Sequence, residues 1–187
     1  FFLGVKEFNQ QNFKKAITYF SYDNEYSINE TYSYLSKFWL ADCYFQLSDY
    51  EKSINTYNGI SVSVNDELVE YEELKKYNLG YSYFQIQDYA NAVKYFRSYE
   101  KVSSDSMKIN DVYLRIADSY FMISDFSLSA KYYEKAAVFN LFDVDYALYQ
   151  NSVSLGLIGK SASKVKLLKQ IILDYTNSSY YDNSLYD

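Results

Sequence analysis

The stretch LGYSYFQIQDYANAVKYF, Leu79 to Phe96, decides the fold. A small residue, Gly80, is followed by Tyr83, then by the pair Asp88-Tyr89, then by Ala92 and Phe96. Apolar positions three and four apart on both sides of a short polar break describe a helix, a tight turn and a second helix. Aligned on its small residue, the arrangement recurs at Gly4, Ala41, Gly80, Ala117 and Ser152, in steps of 37, 39, 37 and 35 residues (41−4, 80−41, 117−80, 152−117). Periods of this size mark stacked helical repeats.

Composition supports that reading. The 187 residues include 25 Tyr and 13 Phe, with only 5 Gly and no Pro. Hairpin-rich β folds thereby lose their usual punctuation, and helices joined by short polar turns are favoured. The formal net charge is −6, and both signs are interspersed, which argues against a nucleic-acid or anionic-membrane surface. Histidine is absent, which excludes Ser-His triads and His-dependent zinc sites. The single Cys43 lies among Trp39, Leu40, Tyr44 and Leu47 and reads as a small buried hydrophobe. No stretch approaches the ~20 apolar residues of a membrane span. No P-loop or dinucleotide-binding glycine fingerprint is present, and no cofactor is expected.

Taken in order, the array divides into 1–28 (partial), 29–65, 66–104, 105–142 and 143–178, with a further helix starting over 179–187. The first unit keeps the end of its first helix around Gly4 and Phe8, turns at Gln11-Asn12 and continues from Phe13. The second turns at Ser48-Asp49. The third follows a polar connection that includes Ser61, Ser63, Asn65 and Asp66. The fourth turns at Ser124-Asp125, and the fifth, the most divergent, at Gly159-Lys160-Ser161. Both ends read as helices cut from a longer array.

Asp49, Asp88 and Asp125 stand just before second helices, where a carboxylate accepts first-turn amides and suits the helix dipole. Asp143 with Asp145 reads as capping of the fifth unit. The small residues fall where the two helices of a unit cross and must approach closely. Glu70, Glu72 and Glu73 read as a solvated helix face.

These residues resemble the tetratricopeptide repeat, whose signature runs W-x2-L-G-x2-Y, then Ala, Phe and Pro. Leu79-Gly80, Tyr83, Asp88-Tyr89, Ala92 and Phe96 match closely. Leu40-Ala41, Tyr44, Asp49-Tyr50 and Tyr57 match with Ser53 in place of Ala, and Ile116-Ala117, Tyr120, Asp125-Phe126 and Tyr133 match with Ser129 there. The glycine before the turn Asp is replaced by Ser48, Gln87 and Ser124, and the closing Pro is missing. Units longer than the usual ~34 residues imply extended inter-helix turns. Leu173, Tyr175, Ser178, Tyr180, Asp182 and Leu185 echo a motif like LLxxYPxSxYxDDALY, similar to long repeat proteins of bacterial cell envelopes. The resemblance implies an all-α, right-handed superhelical solenoid of antiparallel helix-turn-helix repeats.

It also implies a concave face lined by first helices, on which a partner protein or peptide lies. Position by position, that face is expected to show Phe38, Asp42 and Phe45, then Tyr77, Tyr81 and Phe84, then Leu114, Asp118 and Phe121, and finally Tyr149. Phe8, Phe45, Phe84 and Phe121 recur at one repeat position and are expected to pack chiefly unit against unit. Asp42, Tyr77, Tyr81, Asp118 and Tyr149 differ between units and are the better candidates for recognition. Aromatic rings with scattered acids suit an apolar or Lys/Arg-bearing peptide and would repel a terminal carboxylate.

The function expected is that of a non-enzymatic protein-interaction scaffold, with no nucleic acid bound and no direct membrane span. Self-association through exposed repeat ends is a further expectation. The expected setting is a bacterial cell envelope, periplasmic or outer-membrane associated, with the cytoplasm as alternative. The alternative function is a regulatory or oligomerisation arm of a larger multidomain protein, and the abundance of Tyr leaves a carbohydrate-binding surface as a third reading.

Overall fold

The computed structural model describes residues 1–61 and 65–186, and every regular element among them is helical. The chain divides into two compact units, Phe1–Tyr99 and Glu100–Asp187. In the first, α1 (Phe2–Asn9) and α2 (Phe13–Tyr26) form one hairpin, and α3 (Glu30–Gln46) and α4 (Tyr50–Asn58) the next. After a single turn at Asp66–Leu68, α5 (Val69–Gln85) and α6 (Tyr89–Glu100) form the third. In the second unit α7 (Ser106–Met122) pairs with α8 (Phe126–Phe139), and α9 (Val144–Leu157) with α10 (Ser161–Asp174). The last helix is α11 (Tyr181–Tyr186). Ser63, assigned from sequence to the connection before α5, lies outside the described residues.

One turn is repeated in every hairpin. In the second, the Ser48 amide donates to the Phe45 carbonyl at 2.9 Å and the Asp49 amide to the Tyr44 carbonyl at 2.9 Å. That pair of bonds is the Schellman closure, and it requires a left-handed residue between helix and cap. Gln11, Ser48, Gln87 and Ser124 take that conformation at φ 61–63°, and Gly159 takes it at φ 77°. Side chains at four of the five positions therefore bear the cost of a crowded Cβ. Asp49, Asp88 and Asp125 then cap the second helices, accepting from the amides of Lys52, Asn91 and Leu128. Asp143 departs from expectation: its side chain makes no capping bond and its φ is 52°.

The extra length implied by the long period does not lie in the turns within hairpins. The turns are tight and alike, and the extra length lies in 17-residue first helices α3, α5 and α7 and in the connections between hairpins.

The small residues are explained by what faces them. A Cβ on Gly80 would stand 2.5 Å from Phe96 Cδ1, and one on Gly4 would stand 2.6 Å from Phe20 Cε1. Both rings are 0% exposed. The corresponding residues of the second and fourth hairpins, Tyr57 and Tyr133, are buried too, sixteen positions after Ala41 and Ala117 (57−41, 133−117). Neighbouring hairpins are joined by small polar contacts. The hydroxyls of Ser53 and Ser82 meet at 3.3 Å and those of Ser129 and Ser154 at 3.1 Å, all four buried. Ser82 and Ser154 give their protons to the carbonyls of Asn78 and Gln150, so Ser53 and Ser129 are the donors across each pair. Where Ala16 occupies the Ser53 position, the facing residue is Cys43, fully buried, its thiol pushed up to about 12 by burial. It packs as an inert small hydrophobe.

Candidate functional site

The turn fixes where the aromatic side chains of the first helices go. Phe45 meets Tyr50 at 5.4 Å, Phe84 meets Tyr89 at 5.5 Å and Phe121 meets Phe126 at 5.3 Å, all edge to face, as do Phe8 and Phe13 at 5.3 Å. Each pair spans its own turn. These rings thus close their own hairpins and remain half-buried, and Phe8 also packs on Trp39 of the next hairpin at 4.8 Å, the unit-against-unit contact expected of this position.

In the first unit, Phe38 is a core residue, 3% exposed and wedged against Tyr57 and Tyr71 at 5.5 and 5.2 Å. Its place on a partner-facing surface is corrected accordingly, because a ring enclosed on α3, α4 and α5 has no area left to offer. Tyr77 and Tyr81 lie 5.0 Å apart, half-buried, one turn from each other on α5. Tyr81 stands edge-on to Phe96 at 5.3 Å, and Tyr77 also meets Tyr99 at 5.2 Å. Asp42, on α3, is half-buried, and burial pushes its carboxyl up to about 6 against the opposing effect of a hydrogen bond from Gln46.

In the second unit, Leu114 is 0% exposed and is likewise core. Asp118, 8% exposed, is the centre of a network: it accepts from the hydroxyls of Tyr133 at 2.6 Å and Tyr146 at 2.7 Å and from Arg115 Nη1 at 2.6 Å. Its carboxylate thus serves the tyrosine hydroxyls that α8 and α9 bury and already carries its own cation, so its place as a partner-facing residue is corrected. Tyr149 stacks on Tyr180 at 4.9 Å and 20°, and Tyr146 adds its ring to Tyr180 at 5.9 Å. Of the residues expected on the face, the structure therefore leaves Asp42, Phe45, Tyr77, Tyr81 and Phe84 partly exposed in the first unit and Phe121 and Tyr149 in the second.

Sequence reasoning missed three features. Glu72, read as solvated, accepts from the Tyr34 hydroxyl at 2.8 Å and pairs with Lys75 at 2.7 Å, tying α5 to α3. The Tyr146–Tyr180 contact carries the start of α11 back to α9. Asn151 of α9 is 5% exposed, its Oδ1 has no hydrogen-bond donor, and it lies in a cleft of about 490 Å³ with Glu134, Val138, Leu148, Leu167 and Tyr175. No periodicity signals an isolated amide, whereas the Asp118 network had a readable cue. Asp follows the small residue where the buried ring of the second helix is Tyr57 or Tyr133, and Tyr81 follows it where that ring is Phe96. Among the described residues no group of Cys, Asp and Glu is placed to hold a metal ion. No described helix is long and apolar enough to cross a membrane.

The Tetratricopeptide repeat family model matches residues 35–59 and 76–105, which carry the α3–α4 and α5–α6 turns. Both hairpins are tetratricopeptide repeats. Solved structures with this fold include MamA from Desulfovibrio magneticus RS-1, residue 41 to its end, at 9% identity over 95% of this chain and 93% of that one, with a TM-score of 0.69. Apo RapI gives a TM-score of 0.73 at 13% identity, over 95% of this chain and 53% of its own, so this chain spans about half of RapI's length. Tetratricopeptide-like repeats of a putative kinesin light chain from Podosopora anserina give 0.66 at 12% identity, over 94% of each chain. At these identities the likeness shows the fold alone. No curated protein sequence matches this one.

Proposed function

We propose that the chain is a non-enzymatic scaffold that holds a partner protein, as an extended or helical segment, on the face made by its first helices. The observation that carries this reading is the half-exposed aromatic set Phe45, Tyr77, Tyr81 and Phe84 on α3 and α5. Edge-to-face packing against the second helices fixes these rings before a partner arrives, so little side-chain freedom is lost on binding. A tetratricopeptide fold supplies such faces by repetition, one strip of surface per hairpin. For location we propose a bacterial cell envelope, supported by the motif echo from Leu173 to Leu185.

The test is affinity capture from the source organism with wild type and with Tyr77→Ala/Phe84→Ala, both confirmed as folded by circular dichroism. Loss of specific partners from the double variant is the expected result. Recovery of the same partners by both proteins would overturn the assignment of the face. Fractionation of the tagged full-length protein tests the location, and recovery with the soluble cytoplasm would contradict it.

A further inference from the structure

Asp42 and Asp118 occupy the same place in their hairpins, one residue after Ala41 and Ala117 and opposite the buried Tyr57 and Tyr133. Their surroundings differ. Asp118 is neutralised by Arg115 at 2.6 Å and takes hydroxyl protons from Tyr133 and Tyr146. In the α3–α4 hairpin the position of Arg115 is held by Trp39, and that of Tyr146, counted back from the next small residue, by Leu74 (117−115 = 41−39, 152−146 = 80−74). Trp39 turns its ring onto Phe8 at 4.8 Å, and Leu74 packs on the apolar cluster that holds Tyr57. The Tyr57 hydroxyl accepts from Asn78 Nδ2 at 2.8 Å. Asp42 therefore keeps the site of a charged carboxylate without its cation: among the described residues no Lys or Arg pairs with it, and Gln46 is its hydrogen-bond partner.

We infer that Asp42 recognises a basic side chain, the guanidinium of an arginine or the ammonium of a lysine, on the partner protein. The inference rests on the first-helix face proposed above and names the chemistry that face selects. A half-buried carboxylate lacking a counter-charge is costly, and a cation that completes its hydrogen bonds removes that cost, as Arg115 does for Asp118. Phe45, one helical turn from Asp42 on α3 and half-buried, offers a ring on which the stem of a long basic side chain would pack. The upward shift of the Asp42 carboxyl agrees with this, since a bound cation would bring it back down.

The test selects peptides from a random displayed library on the intact chain and on Asp42→Asn and Asp42→Lys, each checked for helicity and melting. Peptides recovered on wild type are expected to carry Arg or Lys at one aligned position and to bind Asp42→Asn roughly tenfold or more weakly. Asp42→Lys is expected to select Asp or Glu at that position. Peptides that bind wild type and the charge-reversed variant equally, yet lose binding to Tyr77→Ala/Phe84→Ala, would overturn the basic-residue assignment and leave the face standing. Peptides indifferent to all of these variants, or failure of any peptide to bind, would overturn both. Asp42→Asn removes an unpaired charge and is expected to fold at least as well as wild type, so a loss of affinity reads out recognition.

Discussion

At the scale of single residues, the two aspartates that follow a small residue show how one position serves two ends. Asp118 is spent on the tyrosines around it, whereas Asp42 holds a carboxyl that burial pushes up to about 6. Its folded pKa exceeds the unfolded value of about 4, so its contribution to stability is full below about pH 4 and is lost as the pH rises through about 6. The melting temperature of Asp42→Asn, relative to wild type, should therefore climb between about pH 4 and about pH 6 and level off above that. Glu7, Asp49 and Asp105, held below the usual carboxylate range by Lys15, Lys52 and Lys108, act in the opposite sense but cancel in that difference. A gap that does not change with pH would contradict the assignment. The turn residues give a second prediction. Ser48, Gln87 and Ser124 adopt a left-handed conformation that glycine takes without strain. Replacing each by Gly should raise stability by up to about 1 kcal/mol after the entropy of the unfolded chain is set against the relief, measured as a shift in denaturant midpoint. Gly159→Ser should lower it.

At the scale of elements, the hairpin was the legible unit. The Asp that opens the second helix at Asp49, Asp88 and Asp125 and the small residue that lets helices cross could be read because local chemistry alone requires them. What could not be read depends on partners distant in sequence. Phe38 was placed on the face by its repeat position, and its enclosure depends on Tyr57 of α4 and Tyr71 of the neighbouring hairpin. The same holds for Glu72, whose charge suggested solvent until Tyr34 of another hairpin was placed against it. Helix crossing gives a direct test. In Gly80→Ala the new methyl meets the buried Phe96 ring, and overpacking of about 1–3 kcal/mol outweighs a gain of about 1 kcal/mol in helix propensity. Net destabilisation by chemical denaturation is expected, and a more stable variant would show that the ring yields more readily than its complete burial implies.

At the scale of the molecule, stability in such arrays is carried by each hairpin and its nearest neighbours. Residues 100–187, one of the two compact units, should therefore be helical and melt cooperatively when produced alone, as followed by circular dichroism. A non-cooperative, largely unstructured fragment would contradict that division. Function at this scale reduces to which helices meet the partner. Photo-cross-linking tests that most directly, with benzoylphenylalanine placed at Phe45 and Tyr81 on first helices and at Lys94 and Lys131 on second helices. The account predicts partner adducts from Phe45 and Tyr81 and none from Lys94 or Lys131. Adducts confined to the second-helix positions would contradict it.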